Sequence, residues 1–227
     1  MSRAEMTARG WDQLDVLIIT GDAYVDHPSF GAALIGRVLE AGGYRVGIIA
    51  QPDWRNGESI RAMGAPRLFV GVTAGNLDSM LSNYTAARHK RKEDVYSEGG
   101  VPGRRPNHAA VVYSQMAKRA FPGVPVVVGG MEASMRRVAH YDYWEDKLRP
   151  SILADAKADL LVYGMGEVAV REIARRLDAG LADLRGILGT ALLLGAKATS
   201  ATSFSDGIML PSWEELQADK THLMRLT

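Results

Sequence analysis

The densest group of chemically capable side chains lies between Gly129 and Trp144, which reads GGMEASMRRVAHYDYW. Glu132, Arg136, Arg137, His140, Tyr141 and Asp142 crowd together there. Adjacent arginines suit bidentate contact with a phosphate or carboxylate, and a histidine can move a proton near neutral pH. The same stretch also reads as a helix start capped by polar groups, with Tyr141, Tyr143 and Trp144 packed inward. On a helix, Glu132 and Arg136 would pair four residues apart for about 0.3–0.5 kcal/mol. Arg136 and Arg137 would point about 100° apart. That leaves Arg137 and His140 for a substrate anion or a neighbouring domain, with the aromatic trio as interface anchors.

A second group is built from glycine turns. Gly21–Gly31, Gly71–Gly75, Gly129–Glu132 and Gly164–Glu167 each follow a short apolar run. Glycine at such places lets a ligand approach the backbone closely. The cofactor-binding candidates are therefore Asp22, His27, Thr73, Gly75, Gly129, Gly130, Glu132, Gly164, Gly166 and Glu167. The largest pocket is expected at the carboxyl edge of a sheet, lined by Asp22, His27, Thr73, Gly75, Gly129, Glu132 and Gly166. His27, beside Asp26, has the form of a metal or cobalt ligand oriented by a carboxylate, although a lone loop histidine is more often a hydrogen-bonded surface residue. The Gly75 turn could meet an anion through its amides, or serve only as a tight turn. No GxGxxG follows the first strand, and neither a Walker A pattern nor GxSxG occurs. Dinucleotide binding through that fingerprint and nucleophile-elbow hydrolysis are thereby excluded.

These turns need strands to hold them. Val16–Ile19 is a short, mostly β-branched run, the pattern of a strand buried on both faces. Pro28 suits a first helical turn, and Phe30, Leu34, Ile35, Val38 and Leu39 recur at helical spacing up to Gly42-Gly43. Residues 45–49 then form a second strand, completing a right-handed βαβ unit. Further strands are expected at 67–72, 124–128, 159–163 and 190–194, and helices at 56–63, 77–84, 107–121 and 168–179. The polar stretch from Ala86 to Pro106 reads as a solvated loop, or as a basic patch facing phosphate. Ser200–Asp206 reads as a polar turn region, and the segment from Pro211 as a helix or extended arm.

The fold class expected is α/β, a doubly wound and mostly parallel sheet of five or six strands. Residues 1–13 form an amino-terminal extension, 14–198 the α/β domain, and 199–227 a carboxyl-terminal arm. At 227 residues such a domain buries about 70% of its unfolded surface and needs no covalent staple. Lys and Arg number 27 against 26 Asp and Glu, so no global charge draws the chain to nucleic acid or membrane. No apolar run approaches a membrane span and the first residues lack a signal core, which points to the cytoplasm. There is no cysteine. Disulfides, thiolate zinc sites, a cysteine nucleophile and any cysteine-ligated iron–sulfur cluster within this chain are therefore excluded.

The stretches GDAYVDHPSFG, RVGIIAQPDW, FVGVTAGNLDSM, NYTAARHKRKEDVYS, PVVVGGMEASMRRVAHYDYW and ADLLVYGMGE resemble the amino-terminal region of the YgiQ family of radical S-adenosylmethionine proteins. The resemblance covers about Gly10 to Glu167 and continues more loosely to about Leu216. It implies a flavodoxin-like, cobalamin-binding-like domain that shapes one side of a site completed by a radical-SAM barrel. It implies S-adenosylmethionine and a 4Fe-4S cluster for the full-length family, held by a CxxxCxxC motif that this chain lacks. The chain alone is then catalytically incomplete. The cobalamin signature DxHxxG is not met either, because Asp26 and His27 are adjacent and the next glycine is Gly31. What remains open is cobalamin bound without a histidine ligand. Two other readings stand beside it: a stand-alone module binding cobalamin or a nucleotide, and a docking scaffold for a separate catalytic chain.

Overall fold

The computed structural model of the chain describes residues 1–24, 30–195 and 207–225. Among the described residues there are eight strands: β1 (Val16–Thr20), β2 (Val46–Ala50), β3 (Phe69–Thr73), β4 (Val126–Gly129), β5 (His140–Asp142), β6 (Lys147–Arg149), β7 (Leu160–Val162) and β8 (Thr190–Ala191). The helices are α1 (Arg3–Ala8), α2 (Gly31–Ala41), α3 (Glu58–Arg61), α4 (Ser79–Asn83), α5 (Ala109–Ala120), α6 (Gly130–Met135), α7 (Ile152–Ala156), α8 (Glu167–Asp178) and α9 (Trp213–Ala218).

Six strands form one sheet in the order β2-β1-β3-β4-β7-β8. The first five are parallel, and β8 closes the edge antiparallel to β7. Ranked along the chain, the parallel strands run second, first, third, fourth, fifth, which is the flavodoxin-like order. All five residues of β1 are buried, as a central strand covered on both faces requires. Leu17, Ile19, Val70, Val72, Val126 and Val128 face one core with Met6, Ile60 and Tyr113. Val16, Ile18, Phe69, Val127 and Val162 face the other with Ala32, Leu39, Val170 and Ile173 from α2 and α8. Each large aliphatic side chain removed from water contributes about 1.5–3 kcal/mol, so the two covered faces carry the fold.

The ends of the sheet are pinned by charge. Asp15, just before β1, accepts hydrogen bonds from Arg45 Nε at 3.0 Å and Arg67 Nε at 2.7 Å. Both arginines precede the neighbouring strands, so one carboxylate aligns three strand starts. Burial pushes the Asp15 carboxyl up, but the hydrogen bonds from Arg45 and Arg67 outweigh it and hold the group well below the usual carboxylate range.

The helix start that is one reading of Gly129–Trp144 forms, but it is short. α6 stops at Met135, and β5 and β6 form a separate antiparallel hairpin in which His140 pairs with Arg149 and Asp142 with Lys147. The HYDYW sequence is strand-compatible, and its turn is tied by Asp142 Oδ1 accepting from the amides of Trp144 (2.8 Å) and Glu145 (3.2 Å).

Candidate functional site

Because β1, β3 and β4 are parallel and in register, Thr20, Thr73 and Gly129 stand side by side at the carboxyl edge. The loops leaving them, with the turn after β7, enclose a cleft of about 320 Å³. Asp22, Thr73, Gly75, Gly129, Gly130, Gly164, Gly166 and Glu167 all line it. Its walls are apolar, from Ile18, Phe30, Ile35 and Val170 among others, and it opens between α2 and α8. Leu34, Met131, Met165 and Val168 are exposed; the first three line the cleft and Val168 follows Glu167 on the first turn of α8. An open parallel sheet binds ligands at this edge, beside the point where strand order reverses between β1 and β3.

Two glycines explain why the cleft is open. Gly130 has φ +81°, and a Cβ there would land on the Thr73 hydroxyl. Gly75 has φ +113°, and a Cβ there would land on the Asp22 carboxylate. Only glycine tolerates both the backbone conformation and the close approach.

Asp22 is not a free ligand. It is fully buried, its Oδ2 accepts from the Asn76 amide at 2.6 Å, and its Oδ1 pairs with Arg105, which is itself buried. Arg105 also donates to Asp94 at 3.2 Å and to the Ala74 carbonyl at 2.8 Å. Burial pushes the Asp22 carboxyl up, opposed by the Arg105 guanidinium. The Gly75 turn therefore does meet an anion, and that anion is Asp22. The Ala86–Pro106 stretch is correspondingly not a loop held only by solvent. Arg105, Asp94 and Ser97 are buried, and the Ala23 amide donates to the Tyr96 carbonyl at 2.8 Å.

Glu132 corrects the expectation most clearly. It is buried away from the cleft, where Oε2 accepts from the Ser79 amide at 2.8 Å and Oε1 from the Ala110 amide at 3.0 Å. One carboxylate thus caps the first turns of α4 and α5. It does not pair with Arg136 through its side chain. Arg136 pairs with Asp78, the cap of α4, because the chain leaves the helix before the i,i+4 geometry forms.

The remaining candidates separate. Arg137 is exposed, with its guanidinium 5.3 Å from the Tyr163 ring centroid at the carboxyl edge. Tyr141 is exposed, and its hydroxyl donates to Asp146 at 2.6 Å. Arg136 and His140 line a different cavity of about 300 Å³ between α5 and the β5–β6 hairpin, with Asp142 buried close by. Burial holds the His140 imidazole below its usual range, and its Nδ1 lies 3.2 Å from the Val138 carbonyl oxygen. His27, with Asp26 and Pro28, lies outside the described residues.

Among the described residues, a cavity larger than this cleft lies away from the carboxyl edge. A groove of about 770 Å³ runs along the outer edge of β2, between α1 and α2, lined by Met1, Arg3, Arg37, Ile48 and Met63 among others. It exists because α1 covers the free edge of β2 only in part, with the Met1 ammonium donating to the Ile48 carbonyl at 3.0 Å. Its lining takes Tyr24 from the Gly21–Gly31 loop and no residue of the other three glycine turns. The residues missed by pattern reading are Arg105, Asp94 and Asn76, which share the Asp22 cluster; only the length of the insertion hinted at them.

Fold and cleft together define a doubly wound α/β domain with a ligand-sized opening at its switch point. Residues 1–227 match the family described as Radical SAM N-terminal, and the chain belongs to that family. It is 61% identical over 192 residues to a UPF0313 protein of Bradyrhizobium diazoefficiens, covering 82% of this chain and 28% of that protein. A UPF0313 protein of Thermotoga maritima is 54% identical, over 95% of this chain and 37% of its own length. The chain thus spans about a quarter to a third of such relatives. Among solved structures it is similar to TsrM of Kitasatospora setae, a radical S-adenosylmethionine methyltransferase solved with cobalamin and a 4Fe-4S cluster. The TM-score is 0.53 at 20% identity, covering 78% of this chain and 26% of that one, which is a likeness of fold.

Proposed function

We propose that this chain is the amino-terminal, non-catalytic half-site of a radical-SAM protein, presenting a cofactor or substrate to a cysteine-bearing barrel across the carboxyl edge of its sheet. The observation that carries the reading is the apolar cleft at the switch point, floored by glycine turns and rimmed by exposed Met131 and Met165. Exposed apolar side chains around a concave site suit a partner surface or a ligand larger than the cleft.

The implied cofactors fit unequally. A cysteine-ligated cluster does not fit, since the chain has no thiolate donor, and no step of this domain runs through one. Cobalamin fits in part. Small-molecule pockets span roughly 300–1,000 Å³, and at about 320 Å³ this cleft takes only a flat, uncharged portion of such a molecule. No histidine among the described residues lines the cleft, so cobalt would have no protein ligand from them. The chain's own contributions are to bind that portion between α2 and α8, to orient it with the Thr73 hydroxyl and the backbone of the glycine turns, and to exclude water with Phe30, Ile35 and Val170.

The test is an absorbance titration with hydroxocobalamin on the wild type and on Gly31→Phe. Gly31 lines the cleft, and a Cβ there meets nothing within 4 Å, so a side chain can branch from it without a clash at its root and its bulk is placed to narrow the opening. Saturable 1:1 binding lost in the variant supports cobalamin. No spectral change in the wild type assigns the cleft to substrate or another cofactor, and equal binding by both proteins removes the cleft from the account.

A further inference from the structure

We propose that His108, Asp142 and Glu145 form a site for a divalent transition-metal ion beside the polar cavity between α5 and the β5–β6 hairpin. Each offers one ligand atom, and those atoms lie within 4.8 Å of one another. A first-row ion at about 2.0–2.2 Å from nitrogen and oxygen ligands reaches pairs up to about 4.4 Å apart, as His108 Nε2 and Glu145 Oε1 at 3.8 Å are, and any wider pair closes by a few tenths of an ångström on binding. One imidazole with two carboxylates is a donor set for Zn²⁺, Mn²⁺, Fe²⁺ or Co²⁺, with no thiolate to favour softer ions.

The second observation is independent of the cluster. Asp142 is 3% exposed, and while its Oδ1 is satisfied by two amides, its Oδ2 is buried and makes no hydrogen bond. Arg149 Nε lies 3.2 Å away as an ion-pair contact misaligned for donation, and that nitrogen too makes no hydrogen bond. Buried polar atoms of this kind call for an explanation such as an ion or water. His108 adds a third. It precedes α5 in a left-handed backbone conformation, φ +50°, makes no capping bond, and sets Nε2 3.8 Å from Glu145 Oε1.

The surrounding charges leave room for a cation. Asp142, Glu145 and Asp155 all contact the single guanidinium of Arg149. Lys147 neutralises the other oxygen of Glu145 from solvent, and Arg136 belongs to Asp78. An entering ion would displace Arg149 from Glu145 while Arg149 keeps Asp155, now 3.0 Å away. Three protein ligands leave coordination positions for water, and His108 lines the adjoining cavity of about 300 Å³. His140, whose buried Nε2 has no partner, lines the same cavity and offers the acceptor that such a water needs.

The test is titration of the chain with Co²⁺ at neutral pH, reading d–d absorption and equilibrium dialysis. The expected result is one Co²⁺ per chain. His108→Ala and Glu145→Gln should each weaken binding at least tenfold, and Arg149→Gln, which removes the competing cation, should tighten it. Glu145 is exposed, so its variant retains the fold, checked by circular dichroism. Absence of saturable binding in the wild type overturns the site. So does binding that His108→Ala and Glu145→Gln leave unchanged while His27→Ala abolishes it.

Discussion

Arg105 and Asp22, 83 positions apart in the chain, form a buried ion pair at the carboxyl edge of the sheet. The pair joins the loop after β1 to the end of the polar insertion, and Asp94 and the Ala74 carbonyl complete it. It fixes the side of the cleft that Asp22, Gly75 and Asn76 contribute. Asp22 and Arg105 are therefore positioning residues, and their substitution should be read first in stability.

Arg105→Met leaves two carboxylates buried without a cation. Breaking a buried pair in this way costs about 3–5 kcal/mol, and urea unfolding should show a loss of that size. Limited proteolysis should also find new cleavage between residues 86 and 104. A loss below about 1 kcal/mol would mean the insertion is not anchored by this pair.

Gly75→Ala should be far worse than Gly31→Ala. At Gly75 the new methyl meets the Asp22 carboxylate in a positive-φ conformation, whereas at Gly31 it enters open space on the first turn of a helix. Strain of that kind costs on the order of 1–3 kcal/mol before the steric clash is added. The helix position gains up to about 1 kcal/mol from alanine. Equal thermal midpoints for the two variants would contradict the geometry.

Acid should weaken the amino edge through Asp15. Its carboxyl is held well below the usual range in the folded state, so the stabilisation is present above the unfolded value of about 3.9 and is lost as pH falls through the folded value. Asp15→Asn should be less stable at pH 7 by about 1.5–3 kcal/mol and should flatten the stability profile below pH 4. An unchanged acid profile in the variant would show that other carboxylates govern acid unfolding.

The sheet was legible because buried parallel strands announce themselves. Val16–Ile19 and Val124–Val128 have no polar face, and glycine follows, after Thr20 in the first case and directly in the second. The parallel order was legible only through alternating strand and helix patterns. The role of Glu132 was not, since capping two helices depends on the Ser79 and Ala110 amides, 53 and 22 positions away. Arg105 likewise reads as one more cation in a charged run, and nothing local distinguishes it from Arg104, which pairs with Glu98 in solvent. The hairpin at His140 was hidden because HYDYW fits a strand and a capped helix start equally well.

The central claim is that the carboxyl edge is the working face, although the larger groove lies along β2. The most direct measurement is hydrogen exchange on this chain with and without the part of a UPF0313 relative that this chain does not match, added as a separate chain. The account predicts new protection at residues 74–77, 129–137 and 163–168, with residues 46–63 unchanged. Protection confined to the β2 groove, with the glycine turns still exchanging freely, would contradict it.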